Sequence, residues 1–223
     1  MSTPAVTKKP GIQPIISRMS VQEAHAAATV QLNALALHPV QLRIQPLDKR
    51  PSVSAQIEIK AQAFRDVLAG GQRRVIKAVV PQDNGVGDSE VAGVAVWMLF
   101  NEKKPQLEDW IHEEALVGVD VEFRDKRVAI MTEERNNIMG DSKYWYVSLM
   151  VVDPKYQQRG IGQALLQWGL DQADAEGLEV YLESSDDGRR LSFGWSALPD
   201  EQFEGGVLKW PALKRRSTNQ GSA

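Results

Sequence analysis

Two glycines, Gly160 and Gly162, stand where an apolar stretch gives way to an amphipathic one, and their spacing suits the binding of a phosphate. Residues 145–152 form a nearly unbroken, valine-rich apolar run, which predicts a central strand buried on both faces. Asp153-Pro154 ends it, because proline donates nothing to a sheet ladder and favours a turn. Beyond the glycines, Ile161, Ala164, Leu165 and Trp168 recur at three- and four-residue steps, which predicts a helix. The two glycines leave one side of its first turn bare. The free N–H groups of that turn and the positive end of the helix dipole then face an anion together. Two other phosphate patterns are excluded. Leu165 stands where a dinucleotide fingerprint needs its third glycine, and no Gly-Lys-Ser/Thr follows as in a P-loop. Spacing alone leaves a purely structural strand–turn–helix open.

The longer pattern is more specific. Gln157-x-x-Gly160-x-Gly162 resembles motif A of the GNAT N-acetyltransferases, Q/R-x-x-G-x-G/A. The preceding V-D-P-x-Y and the following x-A-L-L are similar to that family too, especially to its fungal small-molecule-type members. The resemblance covers residues 41–210 in layout and is strongest over 144–183. It implies a mixed α/β fold: a mostly antiparallel central sheet, splayed at the cofactor site and flanked by helices. It implies transfer of an acetyl group from acetyl-CoA to a primary amine of a small molecule or peptide, by direct attack in a ternary complex and without a metal. Carried over by position, Met150, Val151 and Val152 would pair with the pantetheine arm. The backbone N–H groups of Gln158, Arg159, Gly160, Ile161, Gly162 and Gln163 would hold the pyrophosphate, with Arg159 as a charge partner.

A general base is to be sought among the carboxylates. Glu183 follows the predicted strand 178–182, at the end where ligands of α/β sheets gather. Asp120 and Glu122 are alternatives, each with a structural reading beside the catalytic one, and Ser148 on the central strand is placed to orient a water. The chain departs from the family at Ser192, which stands where relatives carry the tyrosine that protonates the leaving thiolate. Serine is a far poorer acid and shorter. The departure keeps two other readings open: a non-catalytic acyl-CoA-binding or regulatory protein, and an acyltransferase using a longer acyl chain.

Other elements must position these residues. The 223 residues, 43% hydrophobic and 25% charged, describe an ordinary globular chain. A net charge of −3 gives no electrostatic case for nucleic acid. The absence of cysteine excludes disulfides, cysteine–zinc sites and a catalytic thiol, and three scattered histidines argue against a metal site. No apolar run reaches membrane-spanning length, and the expected location is the cytoplasm, with the nucleus as the alternative.

Residues 1–39 read as an N-terminal extension, disordered through Ser20 and then helical over 19–37, either laid on the domain or forming a homodimer contact. The acetyltransferase-type domain is placed at 40–213, and a polar tail at 214–223. Within the domain, Leu42 and Ile44 alternate with polar residues as a first strand. Residues 52–68 have helical spacing, 73–80 and 90–100 read as strands, and Gly93 marks a bulge or close backbone contact. The acid-rich stretch 103–143 reads as a helical insertion, with helices at 107–116 and 128–139. It is either a lid attracting a cationic amine or a solvated helix face. Gly177 caps the phosphate-site helix. Residues 203–210 read as a last strand stopped by Pro211.

Overall fold

The computed structural model describes residues 11–81, 89–100, 117–184, 196–202 and 209–215, with side chains through Ser184. Its frame is a seven-stranded sheet in the order β1-β2-β3-β4-β5-β7-β6. The strands are β1 Ile15–Arg18, β2 Arg73–Val80, β3 Glu90–Phe100, β4 Tyr144–Val152, β5 Glu179–Glu183, β6 Ser196–Gln202 and β7 Lys209–Arg215. All described pairings are antiparallel except β4 with β5, which run parallel. The helices are α1 Ala24–Leu35, α2 Pro39–Ile44, α3 Val53–Ala69, α4 Val121–Met139 and α5 Ile161–Glu176.

Strand alternation puts a separate core on each face of the sheet. On one face, Ile76, Ala78, Trp97, Trp145 and Val147 pack against Ile161, Leu165, Leu166 and Leu170 of α5. On the other, Val75, Val94, Val96 and Val151 pack against Ala24, Ala27 and Ala28 of α1 and Ala61 and Phe64 of α3. A third cluster, Met98, Phe100, Tyr144, Tyr146 and Tyr181, lies with Met139 of α4.

Two bulges change this alternation. Ala78 faces Gly93 and Val79 faces Val91, so β3 carries an extra residue at Ala92. Val96 faces Leu149 and Trp97 faces Val147, so β4 carries an extra residue at Ser148. The Ser148 hydroxyl donates to the Val96 carbonyl at 3.2 Å. Before that bulge the odd-numbered residues of β4 face α5. After it, Leu149 and Val151 face α1 and α3, while Met150 and Val152 face α5. Gly93 also meets the second expectation made of it. A Cβ there would lie 3.0 Å from Leu165, 3.1 Å from the Val151 carbonyl and 3.2 Å from Ile161.

Helix α3 and strands β2 and β3 lie where the sequence places them, and the Ser52 hydroxyl caps α3 through the Ala55 N–H. Other expectations are corrected. Residues 15–18, read as part of a disordered tail, form edge strand β1 on β2. The helix expected from residue 19 begins at Ala24, after a short 3₁₀ turn over Val21–Glu23; the Glu23 carboxylate accepts the Ser20 N–H at 2.8 Å. Leu42 and Ile44 lie not on a strand but on α2. Pro39 is the first residue of that helix, where its missing N–H costs nothing. Val40 and Ile44 are then one turn apart and face the same cleft.

Helix α4 starts seven residues before the predicted 128, because the Asp120 carboxylate accepts the Phe123 N–H and caps it there. The last strand runs Lys209–Arg215, through Pro211 rather than stopping at it, and takes Lys214 and Arg215 out of the expected tail. Pro211 lies beyond the β5 pairing, which ends at Ala212, and faces Asp200 beside an irregular register with β6, the kind of place where a sheet tolerates proline. Strand β6 lacks an alternating pattern and was not predicted. The helix expected at 107–116 and the segment 203–208 lie outside the described residues.

Candidate functional site

The site arises where two adjacent strands part. β4 pairs with β5 only from Tyr144 to Tyr146. From Val147 onward the β5-facing edge of β4 has no strand partner among the described residues, and the Ser148 bulge falls at the point of divergence. A cleft of about 360 Å³ fills the gap. One wall is β4 from Tyr146 to Val151. The opposite wall is the end of β5, with Leu182, Glu183 and Ser184. Leu35, Val40 and Ile44 from α1 and α2, with Arg127 and Met131 from α4, close the side away from α5, and Leu166 of α5 also lines it.

At the far end of β4 the chain turns through Asp153-Pro154 into the first turn of α5. Asp153 is buried; its carboxylate accepts the Lys155 N–H at 3.1 Å and the Asn33 side-chain amide at 2.8 Å. The Gln157 side-chain amide donates to the Val152 carbonyl at 3.0 Å, which ties the turn to the strand. Gln158 and Gly160 both adopt positive φ, 64° and 90°. Gly160 is the N-cap of α5, and a Cβ there would meet nothing within 4 Å. Glycine is therefore required for its left-handed backbone rather than by crowding, and the ground before the first turn of α5 is open. The Arg159 carbonyl accepts the Ile12 N–H at 3.1 Å, so the segment leading into β1 braces the same turn. The Arg159 Nε is buried without a hydrogen bond among the described residues. Ile161 is in the core, so it offers only its backbone to a ligand.

The predicted cofactor residues follow one another along the chain from β4 to the start of α5. Met150 and Val151 line the cleft, and Val152, Gln157, Gln158, Arg159, Gly160, Ile161, Gly162 and Gln163 follow in order to the start of α5. Open strand edge and free helix N–H groups suit an extended acyl chain ending in a pyrophosphate.

Glu183 lines the same cleft, and its side chain is 4% exposed. The Tyr146 hydroxyl donates to its Oε2 at 2.8 Å, and Nη1 of the buried Arg135 lies 3.6 Å from its Oε1. The Arg135 guanidinium sits 4.9 Å from the centre of the Tyr146 ring, a cation–π contact that holds both. Burial pushes the Glu183 carboxyl above the usual glutamate range, against the pull of Arg135 and the Tyr146 bond. Burial, with the Glu183 charge behind it, raises the Tyr146 hydroxyl well above its ordinary value. Burial also lowers Arg127.

The remaining predicted residues are placed differently. Asp120 does not line the cleft; it caps α4 and pairs with Arg43 at 2.5 Å. Glu122 is exposed in the first turn of α4 and does not line it either. Ser148 lines the cleft, but its hydroxyl proton is committed to Val96. Ser192 lies outside the described residues. Sequence reasoning missed Tyr146, Arg127, Arg135 and His38, of which all but Arg135 line the cleft. Tyr146 was hidden in an apolar run, and α4 is too polar for its buried arginine to stand out. Among the described residues no group of three metal-ligating side chains occurs, and no helix is long and apolar enough to cross a membrane.

Comparison with known proteins agrees with this geometry. Residues 87–191 match the Acetyltransferase (GNAT) family. No curated protein matches the chain in sequence. A Corynebacterium glutamicum structure described as histone acetyltransferase HPA2 and related acetyltransferase is 17% identical, covering 95% of this chain and 100% of that one, with a TM-score of 0.61. Mosquito arylalkylamine N-acetyltransferase like 5b is 13% identical, covering 92% and 100%, with a TM-score of 0.58. Arabidopsis thaliana NAA60, solved with a bisubstrate analogue, is 14% identical, covering 93% and 100%, with a TM-score of 0.51. The fold is that of the GNAT acyltransferases, and the family match supports acyl transfer as the chemistry. The fungal small-molecule subtype is not singled out.

Proposed function

We propose that the chain is a GNAT N-acetyltransferase that moves an acetyl group from acetyl-CoA to a primary amine of a small molecule or peptide. The observation that carries this reading is the edge of β4 beyond Tyr146, unpaired among the described residues, which opens a cleft between β4 and the buried carboxylate of Glu183. The pantetheine arm pairs with Met150, Val151 and Val152 as a further strand would. The pyrophosphate is held by the N–H groups from Gln158 to Gln163, and Arg159 supplies charge. The acceptor enters between α2 and α4 and meets Glu183.

In the ternary complex the neutral amine nitrogen attacks the thioester carbonyl carbon. The new N–C bond forms as the C–S bond breaks, and CoA leaves as the thiolate. Glu183 takes the proton from nitrogen, directly or through one water, and the thiolate takes a proton from solvent. Its raised proton affinity makes Glu183 a better base than an ordinary carboxylate. Tyr146 and Arg135 hold it toward the cleft. Positioning of amine and thioester supplies several kcal/mol of the rate enhancement.

Calorimetric titration with acetyl-CoA and CoA tests the substrate assignment, using wild type, Gly160→Asp and Gly160→Asn. The two variants are equal in size and share a tolerance of left-handed φ, so they differ in charge alone. Micromolar binding by wild type, weakened far more by Asp than by Asn, is the expected result. No binding by folded wild type would overturn the reading. A second reading, an acyl-CoA-binding protein without turnover, draws on Ser192 in the position of the family's tyrosine. It is favoured if acetyl-CoA binds but no amine in a broad panel is acetylated.

A further inference from the structure

Asp153 lies where β4 hands the chain on toward α5, and three elements meet on it. Its N–H donates to the Ala92 carbonyl of β3 at 2.9 Å. One carboxylate oxygen, Oδ1, accepts the Lys155 N–H at 3.1 Å and opens the 3₁₀ turn Pro154–Tyr156. The other, Oδ2, accepts the side-chain amide of Asn33 on α1 at 2.8 Å. Asp153 is 6% exposed. A carboxylate so sheltered has little water to turn to, so each donor counts, and donors to a charged oxygen are the stronger kind.

Asn33 reaches Asp153 from a firm support. Buried Ala24, Ala27, Ala28 and Val30 hold α1 on the sheet against Val94, Val96 and Val151. Asparagine is nonetheless a poor choice for the last turn of this alanine-rich helix, because it forms helix less readily than alanine. Local propensity and the residue present disagree, and the bond to Asp153 supplies a reason. That bond bears on the turn that follows. The Tyr156 N–H returns to the Asp153 carbonyl at 2.8 Å, so Asp153 sets the direction in which the chain approaches Gln158 and Gly160. Gln158, at a φ of 64°, holds a left-handed backbone that a glutamine keeps only where its surroundings impose it.

We propose that Asn33 is a positioning residue for the acyl-CoA site: through Asp153 it fixes the aim of the N–H groups from Gln158 to Gln163, from a helix outside the glycine motif. The inference rests on the acetyltransferase reading for the identity of the ligand. Its test is calorimetric titration with acetyl-CoA, thermal unfolding and steady-state kinetics on wild type, Asn33→Ala and Asn33→Asp. Asn33→Ala should bind acetyl-CoA about tenfold more weakly. Its melting temperature should stay within about 2 °C of wild type, because alanine favours the helix. Asn33→Asp, nearly equal in size, sets a second carboxylate against Asp153 and should bind more weakly still. In Asn33→Ala the KM for acetyl-CoA should rise while kcat and the KM for the amine hold. Wild-type affinity in both folded variants would overturn the inference and leave the acetyltransferase reading standing. A loss of affinity matched by a loss of stability would reduce Asn33 to a structural contact and overturn it as well. No binding by folded wild type would remove the reading and the inference together.

Discussion

Replacing Gly169 with alanine sets two effects of known size against each other. Gly169 lies in the interior of α5, where alanine is worth about 1 kcal/mol over glycine. An exposed position would therefore be stabilised. Here the added Cβ would lie 2.2, 2.3 and 2.4 Å from three ring atoms of Trp97. Ordinary carbon contacts are about 3.5–4.0 Å, so ring or helix must move by more than about 1 Å. Trp97 is fully buried, its ring centre 6.3 Å from Trp145 and 6.4 Å from Trp168. It cannot turn aside without displacing both. If α5 moves instead, Ile161 and Leu165 lose their seat against Gly93 and the turn before α5 shifts with them.

Overpacking costs about 1–3 kcal/mol. This contact belongs at the upper end, which leaves a net loss of about 2 kcal/mol after the helix gain. At about 2–4 °C per kcal/mol for a chain of this size, the melting temperature should fall roughly 4–8 °C. Urea denaturation followed by circular dichroism would measure the loss. Trp97→Phe in the same background removes the ring atoms that clash, so the double variant should recover much of it. An unchanged or raised stability in Gly169→Ala, or a double variant whose losses simply add, would refute the reasoning.

Other outcomes follow from the cleft and its surroundings. Glu183→Gln should lower the acetyl-transfer rate by about 10²–10⁴ while leaving acyl-CoA affinity intact, measured by steady-state kinetics beside calorimetry; an unchanged rate would remove Glu183 from the chemistry. The acidic limb of the pH–rate profile should lie above the ordinary glutamate value, because a base must be ionised and burial raises this carboxyl. Stability should run the opposite way: the raised folded-state value means that the contribution of Glu183 is present at low pH and lost as pH rises through that value, a slope that Glu183→Gln should flatten. Asp120→Ala should lower the helical signal and the melting temperature by uncapping α4, and Asp120→Asn should retain the cap while losing the Arg43 pair. For Asp120, the Phe123 N–H bond and then Arg43 hold the carboxyl below its usual range, so its contribution fades as pH falls through the folded-state value.

Local chemistry was enough to read the strand, turn and helix that run from β4 into α5. A valine-rich run of this length bounded by Asp153-Pro154 favours a buried strand, and the 3.6-residue spacing after Gly160 favours an amphipathic helix. The turn proposed to hold the pyrophosphate lies entirely within that stretch. The same local signals placed α3, β2, β3 and the Gly177 cap, whose φ is 66°.

The opposite wall of the cleft was decided by distant contacts. Residues 15–18 have too few apolar positions to declare a strand and become one because β2 offers an open edge. Three apolar residues alternate over 40–44, and period two and a single helical turn fit so short a run equally well; Pro39 at the helix start and the buried side of Val40 settled it. The bulge at Ser148 leaves no mark in composition, yet it reverses which face Met150 and Val151 present. Glu183 could be placed at a strand end from sequence. Its proton affinity could not, because that depends on Tyr146, Arg127 and Arg135, which reach it from β4 and α4 only after the sheet has closed around them.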